Sequence, residues 1–187
     1  MDTLTRVDIT QAARPATIAF ACLKRHNRVI GPGWLARTIL RRRPLVLNNG
    51  FVVVITGKPG AIDQTQSATI GDFADAKMIP IWQNEAIAML RGVQDHGKSG
   101  YRSSWECRSP EHGVWSGGIV TRHGLYIACR GIGHEHYDEV MALVVTALMG
   151  WEDLPYLRDI AHTSGNAHFE QIHLAAAKFT AAPASTR

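Results

Sequence analysis

The sequence predicts an α+β fold, a single domain with a mainly antiparallel sheet flanked by helices. Three observations carry that expectation. Apolar residues recur at helical spacing in several separate stretches, and β-prone runs come in groups instead of alternating singly with helices. The chain has 187 residues, 45% of them hydrophobic and 19% charged, which suits one core of ordinary size. The domain is expected to span 1–180, with a basic helical segment at about 1–43 and a disordered tail over 181–187.

Taken in order, Thr17 to Lys24 is apolar enough for a buried helix, with Pro15 near its start, where proline is tolerated. Gly31-Pro32-Gly33 breaks it. Trp34, Leu35, Thr38 and Ile39 then recur at helical spacing until Pro44, giving a second helix that ends in Arg41, Arg42 and Arg43. Asn48-Asn49-Gly50 between Leu-Val-Leu and Phe-Val-Val-Val-Ile-Thr reads as a β-hairpin over 45–56. The Gly-, Ser-, Thr- and Gln-rich stretch 57–71 reads as a surface loop.

An amphipathic helix is predicted over 81–94 from Ile81, Ala86, Ile87, Met89, Leu90 and Val93. Three strands follow at Tyr101–Cys107, Val114–Thr121 and Leu125–Arg130. Tyr137, Val140, Met141, Val144 and Leu148 form a helical stripe closed by Gly150, and two shorter helices are expected at 153–162 and 166–180.

Charge is distributed unevenly. Residues 1–60 hold ten Lys and Arg against only Asp2 and Asp8, a local net charge of +8, while the remaining 127 residues carry ten basic and fourteen acidic side chains. A cationic end attracts polyanions whatever the charge of the whole molecule. Arg37, Arg41 and Arg42 or Arg43 can share a helical face, and Lys24, Arg25 and Arg28 extend the patch from the preceding helix. Helix, Gly-Pro-Gly turn, second helix and hairpin resemble a winged helix-turn-helix in outline, but the hairpin is too apolar for an exposed wing. The opposing expectation is a solvated face whose arginines pair with acids such as Asp72, Asp75 or Glu139.

No apolar run reaches the roughly 18 to 20 residues of a membrane span, and the first residues lack the pattern of a secretory signal, so the expected compartment is the cytoplasm. Cys22, Cys107 and Cys129 are widely spaced, without a CxxC pair, and read as reduced thiols. No nucleophile elbow or phosphate loop is present.

Eight of the nine histidines lie between His96 and His173. The tightest group is His134-Glu135-His136-Tyr137-Asp138, where a strand gives way to a helix. Imidazole and carboxylate are the usual ligands of a divalent metal such as zinc or iron, and His112 or His123 could reach in from the neighbouring hairpin. On a continuous helix His134 and His136 point in nearly opposite directions, so sharing an ion would require His134 to sit in the preceding loop. His162, His168 and His173 form a second, looser group.

Gly117-Gly118 and Gly131-Ile132-Gly133 bracket the last strand pair and feed a helix. This arrangement is similar, over a stretch of about 30 residues, to small haem-binding proteins of the GlcG type. The resemblance implies a haem- or small-ligand-binding module. Ile119 stands where a proline usually follows the paired glycines, and no site residue is carried over.

The leading expectation is a noncatalytic binding protein that engages an anionic partner, with nucleic acid foremost, through Lys24, Arg25, Arg28, Arg37, Arg41, Arg42 and Arg43. The alternative is a metal-dependent enzyme or a metal- or haem-binding protein built on His134, Glu135, His136 and Asp138, with His112 and His123.

Overall fold

Phe51, Val52, Val53, Val54 and Ile55 form an unbroken apolar run, which a strand tolerates only when both of its faces are covered. In a computed structural model of the chain all five are buried in β1 (Gly50–Thr56). The structure describes residues 8–30, 47–57, 65–97, 100–109, 111 and 115–180, with 28–30 as backbone alone. Among them lie five helices and one four-stranded antiparallel sheet, so the predicted fold class is observed.

The sheet runs β2-β1-β4-β3, with β2 at Gln66–Gly71, β3 at Gly118–Val120 and β4 at Tyr126–Arg130. Val53 stands opposite Ala68 on one side and Cys129 on the other, and this register sorts the side chains between two cores. Phe51, Val53, Ile55, Ile127 and Cys129 face α1 (Ile9–Ile30), α3 (Glu135–Leu148) and α5 (Phe169–Thr180). Val52, Val54, Tyr126 and Ala128 face α2 (Met78–His96), meeting Ala86, Met89, Leu90 and Val93. The sheet is therefore the middle of three layers. A further helix, α4 (Leu154–Thr163), begins with Asp153 accepting the Tyr156 N–H at 2.9 Å.

Five elements differ from the sequence expectation. The first helix starts at Ile9, well before Pro15, because Ile9, Ala12, Ala16, Ala19, Phe20 and Leu23 all recur on one buried face. Its start is held by the Asp8 carboxylate, which accepts the Thr10 N–H at 2.9 Å, and by Gln66 Oε1, which accepts the Ile9 N–H at 3.0 Å. The carbonyl that Pro15 cannot serve belongs to Gln11, which is exposed to water.

Of the hairpin expected over 45–56, residues 45 and 46 lie outside the described residues, and the described part is not a hairpin: 47–49 are not strand, and both edges of β1 are taken by β2 and β4. Asn48 instead donates its backbone N–H to Ile132 O at 3.0 Å, while Asn49 O accepts from Asp72 at 3.1 Å. The expected loop 57–71 ends in an edge strand, β2. Its outward residues Ser67 and Thr69 are polar and only Ile70 is buried, which leaves little hydrophobic signature.

Tyr101–Cys107 is a turn with one bridge, Ser103 to Ile119, and Glu106 Oε2 accepts the N–H groups of Arg102 and Ser103 at 2.7 and 3.0 Å. The strand expected at Val114–Thr121 shortens to the three residues of β3. The helix expected at 34–43 and the tail 181–187 lie outside the described residues. Cys22 and Cys129 are buried free thiols and Cys107 is half-buried and free.

Because β1 contributes to both cores while β2 shows one face to water, their mutational costs should differ. Phe51→Ala is expected to destabilise by about 3–5 kcal/mol and Thr69→Val to stay within about 0.5 kcal/mol, both read by equilibrium chemical denaturation.

Candidate functional site

Where β4 leaves the sheet beside the start of β1, the chain turns through Gly131-Ile132-Gly133 into α3. Gly131 has φ +110, and a Cβ there would lie 2.4 Å from the Trp82 ring of α2. Only glycine lets the indole close over this turn. Trp82 and Trp115 form two walls of a cleft of about 310 Å3, with Arg130, His134 and Glu135 completing it. Asn48 closes the remaining side, held by its Nδ2 donating to Gly131 O at 2.6 Å.

Arg130 is the organising residue. Its Nε donates to Glu85 Oε2 of α2 at 2.5 Å, its Nη1 donates to Asp138 Oδ2 of α3 at 3.1 Å, and its guanidinium carbon lies 5.0 Å from the centre of the Trp115 ring. A guanidinium carries five N–H donors, so three remain beyond these two bonds on a residue that lines the cleft. Asp138 is fully buried and also accepts the Ile132 N–H at 3.0 Å. Burial pushes its carboxyl up to about 7, against the opposing pull of Arg130 and the Ile132 N–H. Close packing at Gly117 contributes to that burial, since a Cβ there would come within 3.0 Å of the Asp138 Cβ.

Beside the cleft lies a second buried carboxylate. Glu139 accepts from Ser103 Oγ at 2.6 Å and from Asn166 Nδ2 at 3.0 Å, so it ties the 101–107 turn to the loop between α4 and α5. Burial raises its pKa although Asn166 and Ser103 oppose the shift. Among the described residues of the basic N-terminal patch, Lys24 and Arg25, neither pairs with Glu139. Asp72 and Asp75 are exposed, and Asp75 accepts the Lys77 N–H at 2.9 Å.

The predicted metal group is dispersed by local geometry. His134 does sit in the loop before α3, as N-cap, with Nδ1 accepting the His136 N–H at 3.2 Å. Its ring stacks on that of His136 at 5.4 Å and 12°, and nitrogen lone pairs lying in parallel planes do not converge on one point. Glu135 is bound by Arg108 Nη1 at 3.0 Å, while Asp138 belongs to Arg130. His123 is exposed in the turn before β4, at the opposite end of that strand from His134, and His112 lies outside the described residues. Among the described residues no three His, Cys, Asp or Glu groups stand together as a metal site.

Of the predicted anion-binding residues, Lys24 and Arg25 have described side chains. Lys24 Nζ lies 4.6 Å from the centre of the Phe20 ring and donates to Asn49 Oδ1 at 3.3 Å, while Arg25 is exposed. The side chain of Arg28, and Arg37, Arg41, Arg42 and Arg43 altogether, lie outside the described residues.

Sequence reasoning missed Trp82, Trp115, Arg130 and Asn48. They come from four segments, and the partial signal was the glycine pair flanking β4. A second grouping it missed joins His26 of α1 to His168, 142 positions apart, with His26 Nε2 and His168 Nδ1 separated by 3.3 Å. No protein-family model matches the chain, and comparisons with curated proteins and with solved structures return no significant match. No helix among the described residues is long and apolar enough to cross a membrane.

The buried acid gives a signed pH dependence. Because the Asp138 carboxyl is raised from 3.8 to about 7, the folded state retains a proton that the unfolded chain has released between those values. Its contribution to stability is full below about pH 4 and is lost as pH rises through about 7. The difference in unfolding free energy between wild type and Asp138→Asn, followed from pH 4 to 8, should shift by the wild type losing ground as pH rises; a flat difference would contradict the assignment.

Proposed function

We propose that the protein is a small-molecule-binding module whose ligand is a planar heteroaromatic compound held between Trp82 and Trp115. The observation that supports this reading is the fixed Arg130 guanidinium, anchored on one side by two carboxylates and turned toward a cleft with two indole walls. Stacking on the indoles would supply affinity, and the unspent N–H donors of Arg130 would select a ligand with hydrogen-bond acceptors. Glu85 already balances the arginine charge, and Asp138, with its carboxyl raised to about 7, adds a second acidic partner, which favours a neutral ligand over a strongly anionic one.

Adenine, lumichrome and haemin, titrated separately against the full chain, would test it by tryptophan fluorescence, with haemin also read by its visible absorption. Saturable quenching by a planar probe is expected, and Trp115→Leu should weaken it by about tenfold, the worth of one aromatic contact. No response to any of the three probes would count against the reading.

The basic N-terminal segment supports a second reading, contact with nucleic acid. Neither Lys24 nor Arg25 forms an ion pair with a described carboxylate, so the described part of the patch is not neutralised. If about three phosphates are neutralised, the logarithm of affinity for duplex DNA should fall by about 2.7 per decade of salt. Replacing Arg41, Arg42 and Arg43 with Ala should flatten that slope; absence of binding at low salt would reject this reading.

A further inference from the structure

The two histidines paired across α1 and the start of α5 are not used by the cleft. His26 Nε2 and His168 Nδ1 face one another at 3.3 Å, with ring centres 5.4 Å apart and planes at 76°. That separation allows a long hydrogen bond from one ring N–H to the lone pair of the other ring. It also matches the edge of a tetrahedron around an ion with metal–nitrogen bonds of about 2.0–2.1 Å, which is about 3.3 Å. Adjacent ligands of a square-planar ion would stand closer, at about 2.9 Å.

The surroundings suit neutral imidazoles. A neutral imidazole carries one in-plane lone pair, and the two nitrogens that would offer theirs to an ion are the ones that face each other here. The Tyr137 ring, 5.2 Å from His168, walls one side, and its hydroxyl donates to Asn27 Oδ1 at 3.3 Å next to His26. Both histidines are only half-buried, which leaves an approach for a hydrated ion.

We propose that His26 and His168 form a two-imidazole site for a tetrahedral divalent cation of the zinc class, with water in the remaining positions. His26 binds through Nε2 and His168 through Nδ1. The ion would join α1 to the loop before α5, and it is independent of the indole cleft.

The test uses full-length, tag-free protein titrated with zinc chloride by calorimetry, with Co2+ as a coloured substitute. One saturable equivalent is expected, with the visible bands of tetrahedral Co2+. His26→Gln and His168→Gln should each weaken binding by at least about tenfold, since even outer-shell partners of a metal are worth about 10- to 100-fold. His162→Gln, an exposed histidine elsewhere, should change nothing. X-ray absorption of the zinc-loaded wild type should count at least two imidazoles, a reading that needs no variant to fold. Absence of saturable zinc binding, indifference to both substitutions, or fewer than two imidazoles would overturn the proposal.

Discussion

The contact on which the architecture turns is the buried pairing of Arg130 with Asp138. Arg130 ends the central strand β4, Asp138 lies in the first turn of α3 on one face of the sheet, and Glu85 belongs to α2 on the other. One guanidinium thus bonds to groups from both outer layers. A buried charge left without its partner is costly, on the order of 3–5 kcal/mol, so the three layers cannot shift independently at this point. The glycines that bracket the β3–β4 pair follow from the same constraint. Gly117 and Gly131 hold positive φ angles and leave no room for a Cβ, which brings Asp138 and Trp82 close to the strand.

This crowding also makes the cleft. The chain must leave β4 without side chains at Gly131 and Gly133, and Trp82 and Trp115 close over the gap. The cleft is therefore preorganised by core packing, because Arg130 is oriented by carboxylates that themselves belong to the core. Glu139 does comparable work one residue later in α3: through Ser103 and Asn166 it fixes the 101–107 turn and the chain between α4 and α5, where His168 lies. Two consecutive buried acids thus position the indole cleft and the histidine pair.

Legibility in the sequence tracked burial. The apolar run at 51–55, the stripe from Tyr137 to Leu148 and the apolar run Leu125–Cys129 announced their elements, because a strand or helix covered by a core must be apolar at the matching period. The polar edge strand β2 has the composition of a loop, since half of its side chains face water. Asn48-Asn49-Gly50 suggested a hairpin on local chemistry, but competition for the edges of β1 decided otherwise. The histidines clustered in sequence relate differently in space: His134 and His136 stack without converging, whereas His26 meets a partner 142 positions away.

By itself, then, the sequence determined the fold class, the identity of the buried strands and helices, and the cationic character of the first third. These are properties of composition and short-range period, and they survive without knowledge of what packs against what. Tertiary structure alone decided the strand order, the junction of Glu85, Arg130 and Asp138, the two indole walls and the facing imidazoles. Each depends on side chains brought together from distant positions, and no local pattern encodes a distance between residues that only folding makes neighbours.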